Sequence, residues 1–212
     1  MPTKIEILAY KFQELTGTAK QKAMGYFYPE DQWWDYIYES AKEDGEKFGF
    51  QIREIKFNGF HSQGDGASWE GFVDVHKWLE HHKPDDPHAQ IMMELIDNEC
   101  VDRMLEIRPI HGHYAHSGTM TCGRIDSIFE SDTQVFLGNG IYQGASAGEL
   151  LGVIGVGYLE QTAIDILHHA RDYADEIYKR LRDEYDSLCS EEYIAELCDA
   201  NDYLFTNDGR FV

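Results

Sequence analysis

His111-Gly112-His113-Tyr114-Ala115-His116 places three imidazoles within six residues. Neutral histidine binds zinc and related metals, and its ordinary pKa of about 6.5 suits proton transfer near neutrality. On an extended strand, positions 111 and 113 share one face while 116 points to the other. All three converge only if Gly112 or Gly118 introduces a bulge. The spacing therefore favours partly buried strand residues, and no metal and no cofactor is expected. Ser117-Gly118-Thr119 extends the run with two hydroxyls and a glycine.

The second chemical segment is Gly59-Phe60-His61-Ser62-Gln63-Gly64-Asp65-Gly66-Ala67-Ser68-Trp69, in which Gly64 and Gly66 bracket a lone carboxylate. Such a turn reverses a hairpin, or it presents main-chain donors and one acid to a ligand. The expectation is a positive φ at Gly64 or Gly66, with Asp65 accepting from nearby backbone N–H groups. Ser62, Gln63 and Asp65 are the candidate binding residues here. His113, His116 and Asp65 form the alternative, catalytic set for a small-ligand binder or a hydrolase-type enzyme. A Ser–His–Asp triad can be drawn from Ser62 or Ser117, one of those histidines and Asp65. No G-x-S-x-G elbow supports it. Gly152-Val153-Ile154-Gly155-Val156-Gly157 likewise lacks the Lys-Ser/Thr partner of a phosphate loop. No motif fixes a reaction, and binding is favoured over catalysis.

These segments must be held by elements readable from periodicity. Lys4–Phe12 reads as an opening strand, and Thr18 with Gln21 as the capping box of a short helix ending near Tyr26. Trp33, Trp34, Ile37, Ala41 and Phe48 predict a helix from Asp31, stopped by Gly49. One of the adjacent tryptophans is expected in the core and the other at its edge, which makes Trp34 a candidate binding anchor. Ile52–Phe60 and Trp69–Val75 read as strands joined by the glycine turn into a hairpin. Pro84–Pro87 is a loop, followed by a helix to about Asp102. Leu105–Ile110, His113–Cys122 and Arg124–Glu130 read as further strands, and Ser131–Gly148 is turn-rich. Leu159, Ala163, Ile166, Ala170, Ala174, Ile177, Leu181, Tyr185 and Leu188 step by fours and threes along a long amphipathic helix. A shorter helix spans Glu191–Cys198. The pairs His81-His82 and His168-His169 are expected to be solvated. The sum predicts one α+β domain over residues 1–212, with a mostly antiparallel sheet of about five strands covered by helices. Its helical ends are expected to pack together on one face of the sheet.

Composition narrows the function. The 212 residues carry 39 acids against 18 bases, a formal charge of −21. Such a surface repels a phosphate backbone, so no direct nucleic-acid binding is expected, and a partner with a basic surface is. Cys100, Cys122, Cys189 and Cys198 form no C-x-x-C pair and suit a reducing cytosol. The opening Met1-Pro2-Thr3-Lys4 has no signal-peptide pattern. The apolar stretch Leu150–Leu159 is too short for a bilayer, so no membrane association is expected.

Tyr10-Lys11-Phe12-Gln13-Glu14-Leu15, Ala19-Lys20, Trp33-Trp34, the Gly59–Trp69 turn and Gly112-His113-Tyr114-Ala115-His116-Ser117-Gly118-Thr119-Met120 together resemble an uncharacterised family encoded by bacteriophages, some of whose members carry an antitoxin-like label. The resemblance covers roughly the first 120 residues. His61 stands where other members often have a bulky aromatic, and Ser68 where many have Cys, so a thiol nucleophile is not required here. The resemblance implies a phage protein acting in the cytoplasm of a bacterial host and supplies no activity. The resulting expectation is an acidic inhibitor of a host defence or nucleic-acid-handling protein, an anti-CRISPR for instance, acting by nucleic-acid mimicry. Asp172, Asp175 and Asp183 on the long helix would face that partner.

Overall fold

The apolar alternation on either side of the glycine turn closes into an antiparallel hairpin in a computed structural model, which describes residues 8–30, 32–110, 115–127 and 145–212. In chain order the elements are β1 (Tyr10–Lys11), α1 (Gly17–Met24), α2 (Asp35–Lys47), β2 (Phe50–Phe57), β3 (Ala67–Asp74), α3 (Val75–His82), α4 (Pro87–Asp97), β4 (Met104–Pro109), β5 (Met120–Cys122), α5 (Ala147–Ile154), α6 (Val156–Leu188), α7 (Glu191–Ala200) and β6 (Leu204–Phe205). The fold is α+β. Its described residues divide into two compact units, one within 36–179 and the other from 1–35 with 180–212.

The larger unit holds a four-stranded antiparallel sheet in the order β2-β3-β4-β5. Trp69 and Val73 line one face of the central strand β3 and are fully buried. The buried stripe of α6, from Ala163 through Ile166, Ala170, Tyr173 and Ile177, lies against that sheet. Polar contacts fix the crossing. Cys122 Sγ meets the Ala163 carbonyl at 3.6 Å, Trp69 Nε1 donates to the Ala170 carbonyl at 3.0 Å, and Arg171 donates to the Met120 carbonyl at 2.7 Å. Tyr173 donates its hydroxyl to the Ala41 carbonyl at 2.6 Å, tying α2 to the same helix.

The smaller unit has its own core. Phe12, Leu15, Ala23, Ile194, Cys198 and Phe205 are buried together, and β1 pairs antiparallel with β6. β1 and β6, near the two ends of the described residues, thus meet within this unit.

Several expected elements need correction. The opening strand is short, because Phe12–Glu14 turns into a 3-10 helix; Lys4–Ile7 lie outside the described residues. Helix α1 starts at Gly17 behind Thr16, so Thr18 falls inside the first turn and caps nothing. The capping box is instead at Ser146 and Glu149, heading α5. Trp33 and Trp34 lie in a turn ahead of α2, where Gln32 has a φ of 64°, and both are half-buried. Asp74 accepts from Lys77 N and so ends β3 and starts α3; Val75 therefore belongs to a helix rather than to the strand. Helix α4 stops at Asp97, beyond which Glu99 takes a φ of 58°. Of the expected strand His113–Cys122, only Met120–Cys122 is a strand; Ser117–Thr119 form a 3-10 turn and positions 113 and 114 lie outside the described residues. Arg124–Glu130 is replaced by an isolated bridge from Ser127 to Val101, with 128–130 outside the described residues. Among the described residues the main antiparallel sheet has four strands. No single helix among the described residues is long and apolar enough to cross a membrane.

Candidate functional site

The β2–β3 turn is closed by its own polar atoms. Asp65 Oδ2 accepts from the backbone N–H of His61 at 2.6 Å and of Ser62 at 2.5 Å, while Asp65 N donates to the Ser62 carbonyl at 3.1 Å. Asn58 Oδ1 receives the Gly66 N–H at 3.0 Å. Gly64 takes the expected positive φ of 91°. From α6, Tyr178 donates its hydroxyl to the Gly59 carbonyl at 3.2 Å and packs its ring 5.6 Å from that of Phe60. The backbone N–H groups of His61, Ser62, Asp65 and Gly66 are therefore engaged within the turn. Ser62 and Gln63 stand exposed at its tip, and Ser68 is fully buried, closed to any substrate.

The structure does bring this turn to His116. A Cβ added at Gly66 would lie 2.5 Å from the Cβ of His116 and 2.9 Å from its Cα. Gly66 is required for this close approach, and Gly64 for the sign of φ. The His116 carbonyl accepts from both Thr119 N, at 2.9 Å, and Thr119 Oγ1, at 2.7 Å, which folds Ser117–Thr119 back on itself. His111 and His113, and with them the full histidine run and the catalytic set containing His113, lie outside the described residues. Among the described residues, no group of three or more His, Cys, Asp or Glu is placed to hold a metal ion. Trp34 packs edge-on to Trp33 with centroids 5.5 Å apart, and Trp33 lies 5.5 Å from Tyr185. A groove of about 480 Å³ at the junction of α2, β2 and α3 mixes Lys42, Arg53 and Lys77 with Glu46 and Asp74.

One ionisable cluster among the described residues runs against the expectation of solvated histidine pairs. His81 and His168 are exposed as expected, but His82 and His169 are half-buried. His82 stacks on the buried ring of Trp78 at 4.7 Å and 19°, and on His169 at 4.6 Å and 26°. Its Nδ1 lies 3.0 Å from the Trp78 carbonyl and donates to it. Beside the stack, Lys83 Nζ pairs with Asp165 at 2.7 Å, and Tyr158 donates to Asp86 at 2.7 Å. Burial pushes Asp165 up, but hydrogen bonds from Lys83 and Gln161 hold its carboxyl below the usual range. Burial, and then the bond to Asp86, drives the Tyr158 hydroxyl far above its ordinary value. The signal in the sequence was the i, i+4 spacing of Trp78 and His82 behind the N-cap Asp74, which appears only once α3 is read as a helix.

Burial lowers the pKa of His82 from its ordinary 6.5, and the neighbouring His169 and His81 lower it further; the bond to the Trp78 carbonyl opposes both. The unfolded chain therefore binds this proton more readily than the folded one. Stability from this group is complete above about pH 6.5 and is lost as pH falls through the lowered folded value. Urea unfolding at pH 7.5, 6.5 and 5.5 is expected to show a falling midpoint, and His82→Phe should flatten that part of the curve. A midpoint unchanged over this range would place the ring in water.

Residues 33–191 match the model of a family described as a domain of unknown function (DUF8835). No curated protein and no solved structure matches the chain.

Proposed function

The chain belongs to this DUF8835 family, and we propose that it is a phage-encoded acidic binding protein that inhibits a host defence or nucleic-acid-handling protein by occupying its basic surface. The observation that carries this reading is the exposed carboxylate row on α6. Asp172, Asp175, Glu176, Asp183 and Asp186 are all exposed. At 100° per residue they fall within an arc of about 100°, interrupted by Lys179, and extend over roughly 20 Å of helix. Such a row, on a chain of charge −21, raises the encounter rate with a basic groove and repels nucleic acid itself. Binding is preferred to catalysis because Asp65, the carboxylate of the catalytic alternative, is engaged by the backbone N–H groups of His61 and Ser62.

The partner is found by affinity capture from a bacterial lysate, and the mechanism is tested on that partner. Association should slow steeply as salt rises. The triple variant Asp172→Lys, Asp175→Lys and Asp183→Lys should associate at least about tenfold more slowly, while its melting temperature stays nearly constant because solvated helix charges contribute only tenths of a kcal/mol each. DNA or RNA should compete for the same partner. Binding that ignores salt, charge reversal and competitor alike would leave the acidity as a solubility feature only.

A further inference from the structure

In the smaller unit three aromatic rings lie outside the core and against one another. Tyr26 is 49% exposed, Phe211 41% and Tyr203 36%. Phe211 sits at the centre, 5.1 Å from Tyr26 at 57° and 5.3 Å from Tyr203 at 89°. Behind it, Phe27 and the fully buried Phe205 lie 5.5 and 4.9 Å away, so the exposed rings are anchored on a packed aromatic base. All three exposed rings lie outside the residues that the family model matches.

Ring planes set at right angles form the walls of a corner, and the face of each wall carries the negative lobe of an aromatic quadrupole. A contiguous exposed aromatic surface of this kind is characteristic of a contact site. The local charge selects what enters it. The segments that make this unit hold 14 acids and seven bases. Among the described residues Lys20 pairs with Glu191 at 2.6 Å, and Lys22 and Arg210 pair with Asp208 at 3.4 and 2.8 Å. At the patch Asp202, exposed and held at a φ of 52°, directly precedes Tyr203, while Arg210, which precedes Phe211, is paired with Asp208. The unit also contains one such contact internally, with Lys20 Nζ 5.3 Å above the ring of Phe12.

We propose that Tyr26, Tyr203 and Phe211 form a docking corner for an arginine-bearing segment of a partner protein. Guanidinium fits better than ammonium because it is planar, weakly hydrated and stacks on aromatic faces while its edge bonds to carboxylates. The proposal rests on the reading of the chain as a binder of basic partners, and it places a second point of contact apart from the α6 row.

The test uses the full chain with tyrosine and phenylalanine rings labelled for NMR, titrated with a nona-arginine peptide, its lysine counterpart and a nona-glutamate control. Shifts are expected in the rings of Tyr26, Tyr203 and Phe211, larger with arginine than with lysine and absent with glutamate. Tyr26→Leu and Tyr203→Leu keep apolar area but remove the π face, and each should weaken arginine-peptide binding by about tenfold. The wild-type ring shifts decide the matter even if a variant fails to fold. If the α6 triple variant loses bulk affinity while the ring shifts persist, the corner acts independently. If the peptide binds through α6 and the rings stay silent, the corner is refuted while the general reading stands. If no basic peptide binds anywhere, both fall. Concentration-dependent self-association that the leucine variants abolish would assign the corner to a second copy and overturn the proposal.

Discussion

Replacing Gly66 with valine is expected to destabilise the fold by roughly 3 kcal/mol or more. Gly66 is buried at the start of β3, and a Cβ there would meet the Cβ and Cα of His116 at 2.5 and 2.9 Å and the Ala115 carbonyl at 3.1 Å. Two of those three atoms belong to backbone, so no rotamer change relieves the clash. Alanine should already be costly at this position. Gly64→Ala is different in kind: its φ of 91° imposes backbone strain of about 1–2 kcal/mol. A double-mutant cycle separates the two causes. His116→Gly removes one of the atoms in collision and should recover part of the loss in Gly66→Ala, while leaving Gly64→Ala unaffected. Denaturant midpoints measure all of these, and a Gly66→Val protein that unfolds at the wild-type urea concentration would refute the close approach.

Trp69→Ala carries the other large effect, a loss of about 3–5 kcal/mol. Trp69 is fully buried in the central strand, packs 5.3 Å from the ring of Phe50 and donates its indole N–H to a carbonyl of α6. Alanine would leave a void between sheet and helix that neither rigid element can close. Trp69→Phe keeps most of the ring volume and gives up the hydrogen bond, so it should cost only about 1–2 kcal/mol. The ordering of the two variants matters more than either value. Equal losses would mean that the hydrogen bond, rather than packing, holds α6 on the sheet.

The parts of this fold that depend on near neighbours were legible in the sequence. The alternation of Trp69, Gly71 and Val73 gave the strand, the glycines gave the hairpin, and the four-and-three steps from Leu159 to Leu188 gave α6 almost to the residue. What failed depended on which of two local signals prevailed. The apolar run through Val75 continued the strand pattern, but the Asp74 side chain captured the Lys77 N–H and turned the chain into α3. In the same way the hydroxyl of Thr119 folded back on His116 and interrupted an expected strand. The candidate site followed the same division. That Asp65 would accept backbone N–H groups was readable from its bracketing glycines; that Gly66 is needed because His116 lies over it depends on a residue 50 positions away. The stack of His82 and His169 on Trp78 joins α3 to α6 and has no counterpart in either segment alone.

The pairing of Tyr10 with Phe205 and of Lys11 with Leu204 also imposes an order on biosynthesis. β1, Phe12 and Leu15 are synthesised well before the strand and helix that cover them. At roughly 5–20 residues per second the early apolar side chains wait on the order of tens of seconds without their partners. Throughout that interval they are accessible to chaperones and proteases. The smaller unit therefore cannot close until α7 and β6 have been made.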